Sequence, residues 1–219
     1  MAAVATCRKR GAFILFEGVD RCGKTTQTAR LADKLRGAGT PVELIRFPDR
    51  TTTIGKMIDA YLQNACELDD RSVHLLFSAN RWEVASKIID KLNKGITIVA
   101  DRYAFSGVCY TAAKGGQSLE WCKGPDVGLP KPDIVFFLDI PMEEAAKRGD
   151  YGAERYEKEE FQAKVRQHFL SLADPDWKVL DATKSVDALH AIVHSLTTDV
   201  QAAVGMQPIS SLWTDGIRD

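Results

Sequence analysis

The sequence predicts an α/β fold, with a central five-stranded parallel sheet flanked by helices. Three observations predict it. Short apolar runs alternate with longer amphipathic ones along the chain. The strand candidates are continuous apolar runs rather than in/out alternations, as expected of strands covered on both faces. Glycine or proline brackets several of them, which separates strand from helix.

Each element follows in order. Ala12 to Phe16 is a compact apolar run leading into glycines and reads as the first buried strand. Thr25 to Ala38 sets Ala29, Leu31, Ala32 and Leu35 at helical spacing, with Gly37 and Gly39 as stop signals. Val42 to Phe47 reads as the second strand, closed by Pro48. Thr53 to Gln63 and Arg71 to Leu92 read as helices. Gly95 precedes the β-branched run Ile96 to Ala100, the third strand. Ile134 to Leu138 is the fourth, and Pro141 suits the first turn of the helix after it. Trp177 to Leu180 is the fifth strand and Val186 to Val204 the closing helix. Three segments carry no regular pattern: Asp49 to Thr52, Gly115 to Lys131, and Gly149 to Arg155. They lie near strand or helix ends, where parallel α/β sheets bind ligands.

Composition narrows the function. A length of 219 residues suits one domain spanning 1–219. With 29 Lys plus Arg against 30 Asp plus Glu, the net charge of -1 gives no chain-wide reason to bind nucleic acid or a membrane surface. No apolar run is long enough to span a bilayer, and the run after Gly11 ends at Glu17, too soon for a signal peptide. Five scattered cysteines (Cys7, Cys22, Cys66, Cys109, Cys122) without a CxxC read as reduced thiols, pointing to the cytoplasm, with nuclear or mitochondrial pools left open.

The most specific signal is Gly18-Val19-Asp20-Arg21-Cys22-Gly23-Lys24-Thr25, a G-x-x-x-x-G-K-[ST] phosphate loop between a strand and a helix. Its glycines let backbone N–H groups turn inward around phosphate oxygens, and the helix dipole adds to the attraction. Lys24 would reach the β and γ phosphates, and Thr25 would offer its hydroxyl to Mg²⁺. Two residues inside the loop admit two readings each. Asp20 is either solvated or faces something other than phosphate, such as a sugar hydroxyl. Arg21 is either a surface residue or a cation over the transferred phosphoryl. The loop implies a nucleoside triphosphate without deciding between kinase, switch and motor. No N-K-x-D guanine reader is present, nor a D-x-x-G switch element after the third strand. Gly37-Ala38-Gly39 ends a helix instead of opening a dinucleotide site. His190 and His194 have metal-ligand spacing, but Ala191 stands where a zinc protease needs Glu, so they read as solvated helix residues.

An acceptor side is also visible. Asp101 ends the third strand beside the phosphate loop, where it could hold Mg²⁺ or cap a helix. Arg102 beside it is a fork for phosphate oxygens. Arg21, Arg46, Arg50, Arg81, Arg102, Arg148 and Arg155 all fall around the expected crevice. Phe77 and Arg81 share a helix face, either as a base-stacking aromatic with a fork donor or as a core Phe with a surface Arg.

Taken together, Phe13 to Gln27 (FILFEGVDRCGKTTQ), Arg46 to Arg50 (RFPDR), His74 to Glu83 (HLLFSANRWE), Asp101 to Gly107 (DRYAFSG), Leu129 to Asp133 (LPKPD) and Glu154 to Glu157 (ERYE) resemble the thymidylate kinase family, in its eukaryotic branch. The resemblance runs in order from about Phe13 to Trp213. It implies a three-layer P-loop fold with a small lid at about 149–155, ATP and Mg²⁺ as donor and cofactor, and dTMP as acceptor. Lys24, Arg21, Arg102 and Asp20 become the catalytic set. Gly18, Arg21, Cys22, Gly23, Lys24, Thr25, Thr26, Arg148 and Lys184 become the ATP site, with Thr25 and Asp101 toward the metal. Phe77 would stack on thymine and Arg81 would bond its edge, with Ser106 near the base. Tyr103 would lie where a ribose 2′-hydroxyl would sit. Asp20 would take the 3′-hydroxyl, with Tyr156 and Gln162 in the same pocket. Arg50 and Arg102 would hold the acceptor phosphate, and Phe47 and Tyr110 would complete the substrate pocket. Tyr110 stands where Phe is common in the family. The resemblance further implies a homodimer packed through helices. It leaves the tail, 214–219, without a role.

Overall fold

The computed structural model describes residues 9–148, 154–174 and 177–214. Most of the expected lid and all but one residue of the tail therefore lie outside the described residues. Among those described, five strands form one parallel sheet: β1 (Phe13–Glu17), β2 (Val42–Arg46), β3 (Thr97–Asp101), β4 (Ile134–Asp139) and β5 (Lys178–Asp181). Their spatial order is β2-β3-β1-β4-β5, so the first strand is the central one.

The three inner strands are buried along nearly their whole length, matching their unbroken apolar runs. The two edge strands depart from the expectation of full cover. Leu44 on β2 and Val179 on β5 are exposed, because an edge strand has a neighbour on one side only. Phe13, Phe16, Phe136 and Phe137 centre the main core, and Phe137 packs against Phe169 and Trp177.

The helices are α1 (Lys24–Gly37), α2 (Thr53–Leu62), α3 (Asp70–Asn93), α4 (Ala104–Lys114), α5 (Leu119–Lys123), α6 (Met142–Ala146), α7 (Glu159–Leu172) and α8 (Val186–Ala203). Thr52, Asp69 and Ser185 cap α2, α3 and α8 through their side chains. Three helices have no counterpart in the sequence-based expectation: α4, α5 and α7. In α4 nearly every position is buried, so no amphipathic period exists to detect. The inward face of α7 carries Gln162 beside Val165 and Phe169, so a polar residue interrupts its apolar stripe. Pro141 caps α6 instead of sitting in its first turn.

Register positions the functional ends. Phe16 on β1 lies beside Asp101 on β3, and Arg46 on β2 lies on the other side of Asp101. The Arg102 N–H donates to Phe16 O, and the Phe47 N–H donates to Asp101 O. The carboxyl ends of β1, β2 and β3 thus open together onto one rim. The Phe47–Pro48 peptide at that rim is cis.

Candidate active site

The rim borders a cleft of about 780 Å³. Every residue expected in the site lines it except Gly18, Asp101 and Gln162, which stand immediately behind the lining. Of the seven crevice arginines, Arg155 does not line the cleft. It turns toward the α2–α3 connection, donating to Glu67, Tyr61 O and Cys66 O, with its guanidinium over the Tyr61 ring.

The phosphate loop leaves β1 and enters α1 through Gly23, in a left-handed conformation and without a side-chain cap on the helix. Gly18 has no room for a Cβ, which would stand 2.7 Å from Leu138 O. Lys24 is nearly buried. It donates to Gly18 O at 3.1 Å, Val19 O at 2.6 Å and Cys22 Sγ at 3.4 Å. Thr25 Oγ donates to Asp101 Oδ2 at 2.7 Å, while Asp101 Oδ1 is buried with no hydrogen-bond partner. Arg21 has a left-handed backbone (φ 63) and reaches Glu157 at 3.3 Å. Arg148 bridges the loop to the far wall, donating to Arg21 O and Ala182 O. On that wall stand Lys184, Ser185 and Val186, and Gln27 donates to Val186 O.

The other half of the cleft is built from side chains. Phe77 and Arg81 both line it. Arg81 is 2% exposed and grips the fully buried Asp126 through Nε at 3.0 Å and Nη2 at 2.5 Å. Ser78 Oγ donates to the same carboxylate. Gly107 makes room for this guanidinium, since a Cβ there would stand 2.8 Å from Arg81 Nη2. Arg50 pairs with Asp59 at 2.7 Å and with Glu154 at 2.7 and 3.0 Å. Tyr103 is buried against Phe13 and Phe47, its hydroxyl without a hydrogen-bond partner.

Asp20 is the centre of a polar cluster. It accepts from Arg102 Nη2 at 2.5 Å, Gln162 Nε2 at 2.6 Å and the Tyr110 hydroxyl at 3.2 Å. Burial opposes its ionisation, but Arg102 and Lys24 outweigh that and hold its carboxyl below the usual range. Arg102 donates to Gly18 O and Ser106 Oγ as well, both at 3.0 Å. Burial pushes the Tyr110 phenol upward, so it stays a neutral donor. Tyr156 stacks on Phe161 beside this cluster.

Sequence reasoning missed Asp126, Gln27, Glu154 and Glu157. Glu154 and Glu157 stood inside a quoted motif, but nothing local marked them as partners for Arg50 and Arg21. Asp126 lies in the patternless stretch 115–131, singled out only as loop. Among the described residues no group of three or more His, Cys, Asp or Glu gathers as a metal cage, and His190 and His194 are half-buried on α8.

The parallel sheet, the phosphate loop and a facing pocket lined with arginines define a P-loop phosphotransferase. Comparison makes the assignment narrower. The sequence profile described as Thymidylate kinase matches residues 16–193. A thymidylate kinase of Danio rerio is 50% identical over 211 residues, covering 95% of this chain and 99% of its own. The Homo sapiens protein of the same name is 50% identical over 208 residues, covering 94% and 98%. A solved thymidylate kinase from Candida albicans superposes with a TM-score of 0.85 at 41% identity, covering 92% of this chain and 98% of that one. The chain belongs to the thymidylate kinase family.

Proposed function

We propose that this chain transfers the γ-phosphoryl group of ATP to dTMP, giving ADP and dTDP, a step toward dTTP for DNA synthesis. One observation carries the reading. The phosphate loop and the side chains of Phe77 and Arg81 line a single cleft, and Arg102, also in its lining, donates to the loop at Gly18 O and to Asp20.

On the donor side, the Gly18, Cys22, Gly23 and Thr26 stretch surrounds the ATP phosphates, Lys24 neutralises the β and γ groups, and Arg148 and Lys184 hold the nucleoside end. On the acceptor side, Phe77 stacks on thymine and Arg81 bonds its edge. Bidentate pairing to Asp126 supports this role, because it fixes the guanidinium plane. Phe47 and Tyr103 wall the sugar. Asp20 takes the 3′-hydroxyl, backed by Gln162, Tyr110 and Tyr156. Arg50 and Arg102 hold the acceptor phosphate, and Ser106, near the base, accepts a hydrogen bond from Arg102. That phosphate is already an anion at neutral pH, so positioning and charge neutralisation by Arg21, Arg102 and Lys24 suffice without a strong base.

Thr25 and Asp101 fit a Mg²⁺ ion: both offer hard oxygens, and the unpartnered Asp101 Oδ1 is an open acceptor beside the phosphate loop. Bound there, the ion would supply neutralisation of phosphate charge.

A homodimer through α3 is part of the same proposal. Leu75, Trp82 and Ile89 recur every seven residues and are exposed, which makes one apolar stripe on that helix. Sedimentation should give a dimer. No helix among the described residues is long and apolar enough to cross a membrane, and the cytoplasm is the proposed location.

The test is ADP release from ATP and Mg²⁺ with dTMP, dUMP, UMP, dCMP, AMP and thymidine offered separately. We expect dTMP to be strongly preferred and UMP and thymidine to be inactive. If all the monophosphates are silent while ATP binds, the kinase reading fails.

A further inference from the structure

Glu17, the last residue of β1, is assigned no part in the reaction, yet it is a fully buried acid one residue before the phosphate loop. Its Oε1 accepts from the backbone N–H groups of Tyr103 at 2.9 Å and Ser106 at 3.1 Å. Its Oε2 accepts from the Ser106 hydroxyl at 2.5 Å. Those N–H groups open α4, which has no side-chain cap of its own, so β1 supplies the cap from a distant part of the chain. A neutral amide oxygen would cap them equally well, and a buried acid is costly to keep. What only the carboxylate can do is accept the Ser106 proton at the same time.

That proton sets a direction. Ser106 has one hydroxyl hydrogen, and it goes to Glu17. The Ser106 oxygen therefore presents lone pairs to Arg102, and Nη1 donates to it at 3.0 Å. The same guanidinium is tied to Gly18 O and Asp20, and the Arg102 backbone is left-handed (φ 69). For a non-glycine residue such a conformation persists only where the surroundings impose it.

We infer that Glu17 is a positioning residue for the acceptor phosphate: through the Ser106 hydroxyl it orients the Arg102 guanidinium. The inference rests on the proposed role of Arg102 as a phosphate-binding residue. The variant Glu17→Gln isolates the effect. The amide oxygen must stay on the two backbone N–H groups, which only donate. The amide nitrogen then falls at Ser106 and donates to its oxygen. The hydroxyl proton loses its acceptor, and two donors converge on one oxygen.

The experiment is calorimetric titration of dTMP, thymidine and ATP into wild type, Glu17→Gln, Ser106→Ala, the double variant and Arg102→Met. The dTMP-to-thymidine affinity ratio reads the phosphate contact alone. Glu17→Gln should lower that ratio on the order of tenfold, the scale of one charge-assisted hydrogen bond, while thymidine and ATP affinities stay within twofold. Ser106→Ala should lower the ratio by a similar factor, and the double variant should lower it no further. An unchanged ratio in Glu17→Gln overturns the inference. So does a parallel loss of all three ligands, which would mean a cap and nothing more, or additive effects in the double variant. Should Glu17→Gln fail to fold, an unchanged ratio in Ser106→Ala overturns it instead. Arg102→Met separates the two layers. If it collapses the ratio while Glu17→Gln does not, Arg102 keeps its role and Glu17 loses its own. If Arg102→Met leaves the ratio intact, the phosphate role of Arg102 falls, and the inference with it.

Discussion

The two halves of the cleft are made of different material. The phosphate-binding part of the donor half is one contiguous stretch, Gly18 to Thr26, in which backbone groups do most of the holding: Lys24 is anchored on two carbonyls of its own loop. The acceptor half is assembled from side chains far apart in sequence, each cation held by its own carboxylate: Arg81 by Asp126, Arg102 by Asp20, Arg50 by Glu154 and Asp59. A backbone cradle survives many side-chain changes, whereas a side-chain pocket depends on its counter-ions. Substitutions should therefore separate the halves.

The largest effect should come where the halves meet. Arg21→Ala should reduce kcat by a factor on the order of 10² to 10⁵, the scale for one phosphoryl-neutralising donor. Steady-state kinetics checks it, and a loss of less than about threefold removes Arg21 from that role. Next is Asp126→Ala, which strands the buried Arg81 charge. Breaking such a pair typically costs about 3–5 kcal/mol, so denaturant unfolding should show a loss of that order, with dTMP affinity falling further than ATP affinity. Equal losses for both ligands would mean the halves are not independent. Phe77→Ala should weaken dTMP by about 1–3 kcal/mol, the range for one base on an aromatic ring, and leave ATP unchanged in the same titration.

The smallest effect is on pH dependence. The Asp20 carboxyl is held below its ordinary value of 3.8 in the folded chain. A depressed acid contributes stability that is complete above the unfolded value and lost as pH falls through the folded one. Acid unfolding of Asp20→Asn should lack that part of the decline below about pH 4. An acid limb identical to wild type would show that the Asp20–Arg102 pair adds nothing.

The same contrast explains what was legible in the sequence. The phosphate loop could be read because its function lies in spacing along the chain. The inner strands could be read because burial on both faces leaves an unbroken apolar run. Helix α4 was hidden by the same burial, which erases the 3.6-residue period, and its cap sits on β1, where no local signal reaches. Helix α7 points Gln162 inward toward Asp20, so its buried face does not look apolar. Arg155 was counted with the crevice arginines because position in a lid motif says nothing of direction, and Glu67 with the Tyr61 ring draws it the other way. The resemblance to a family supplied the acceptor residues that spacing left open, Asp20 among them, but not Asp126, Glu154 or Asp59, the carboxylates that hold Arg81 and Arg50.

The measurement closest to the central claim follows the phosphoryl group itself. Phosphorus NMR of the chain with ATP and Mg²⁺, with and without dTMP, should show the γ signal of ATP disappear only when dTMP is present, with the β-phosphate signals of dTDP and ADP rising at equal rates. Consumption of ATP at the same rate without dTMP, with inorganic phosphate as the product, would contradict the account.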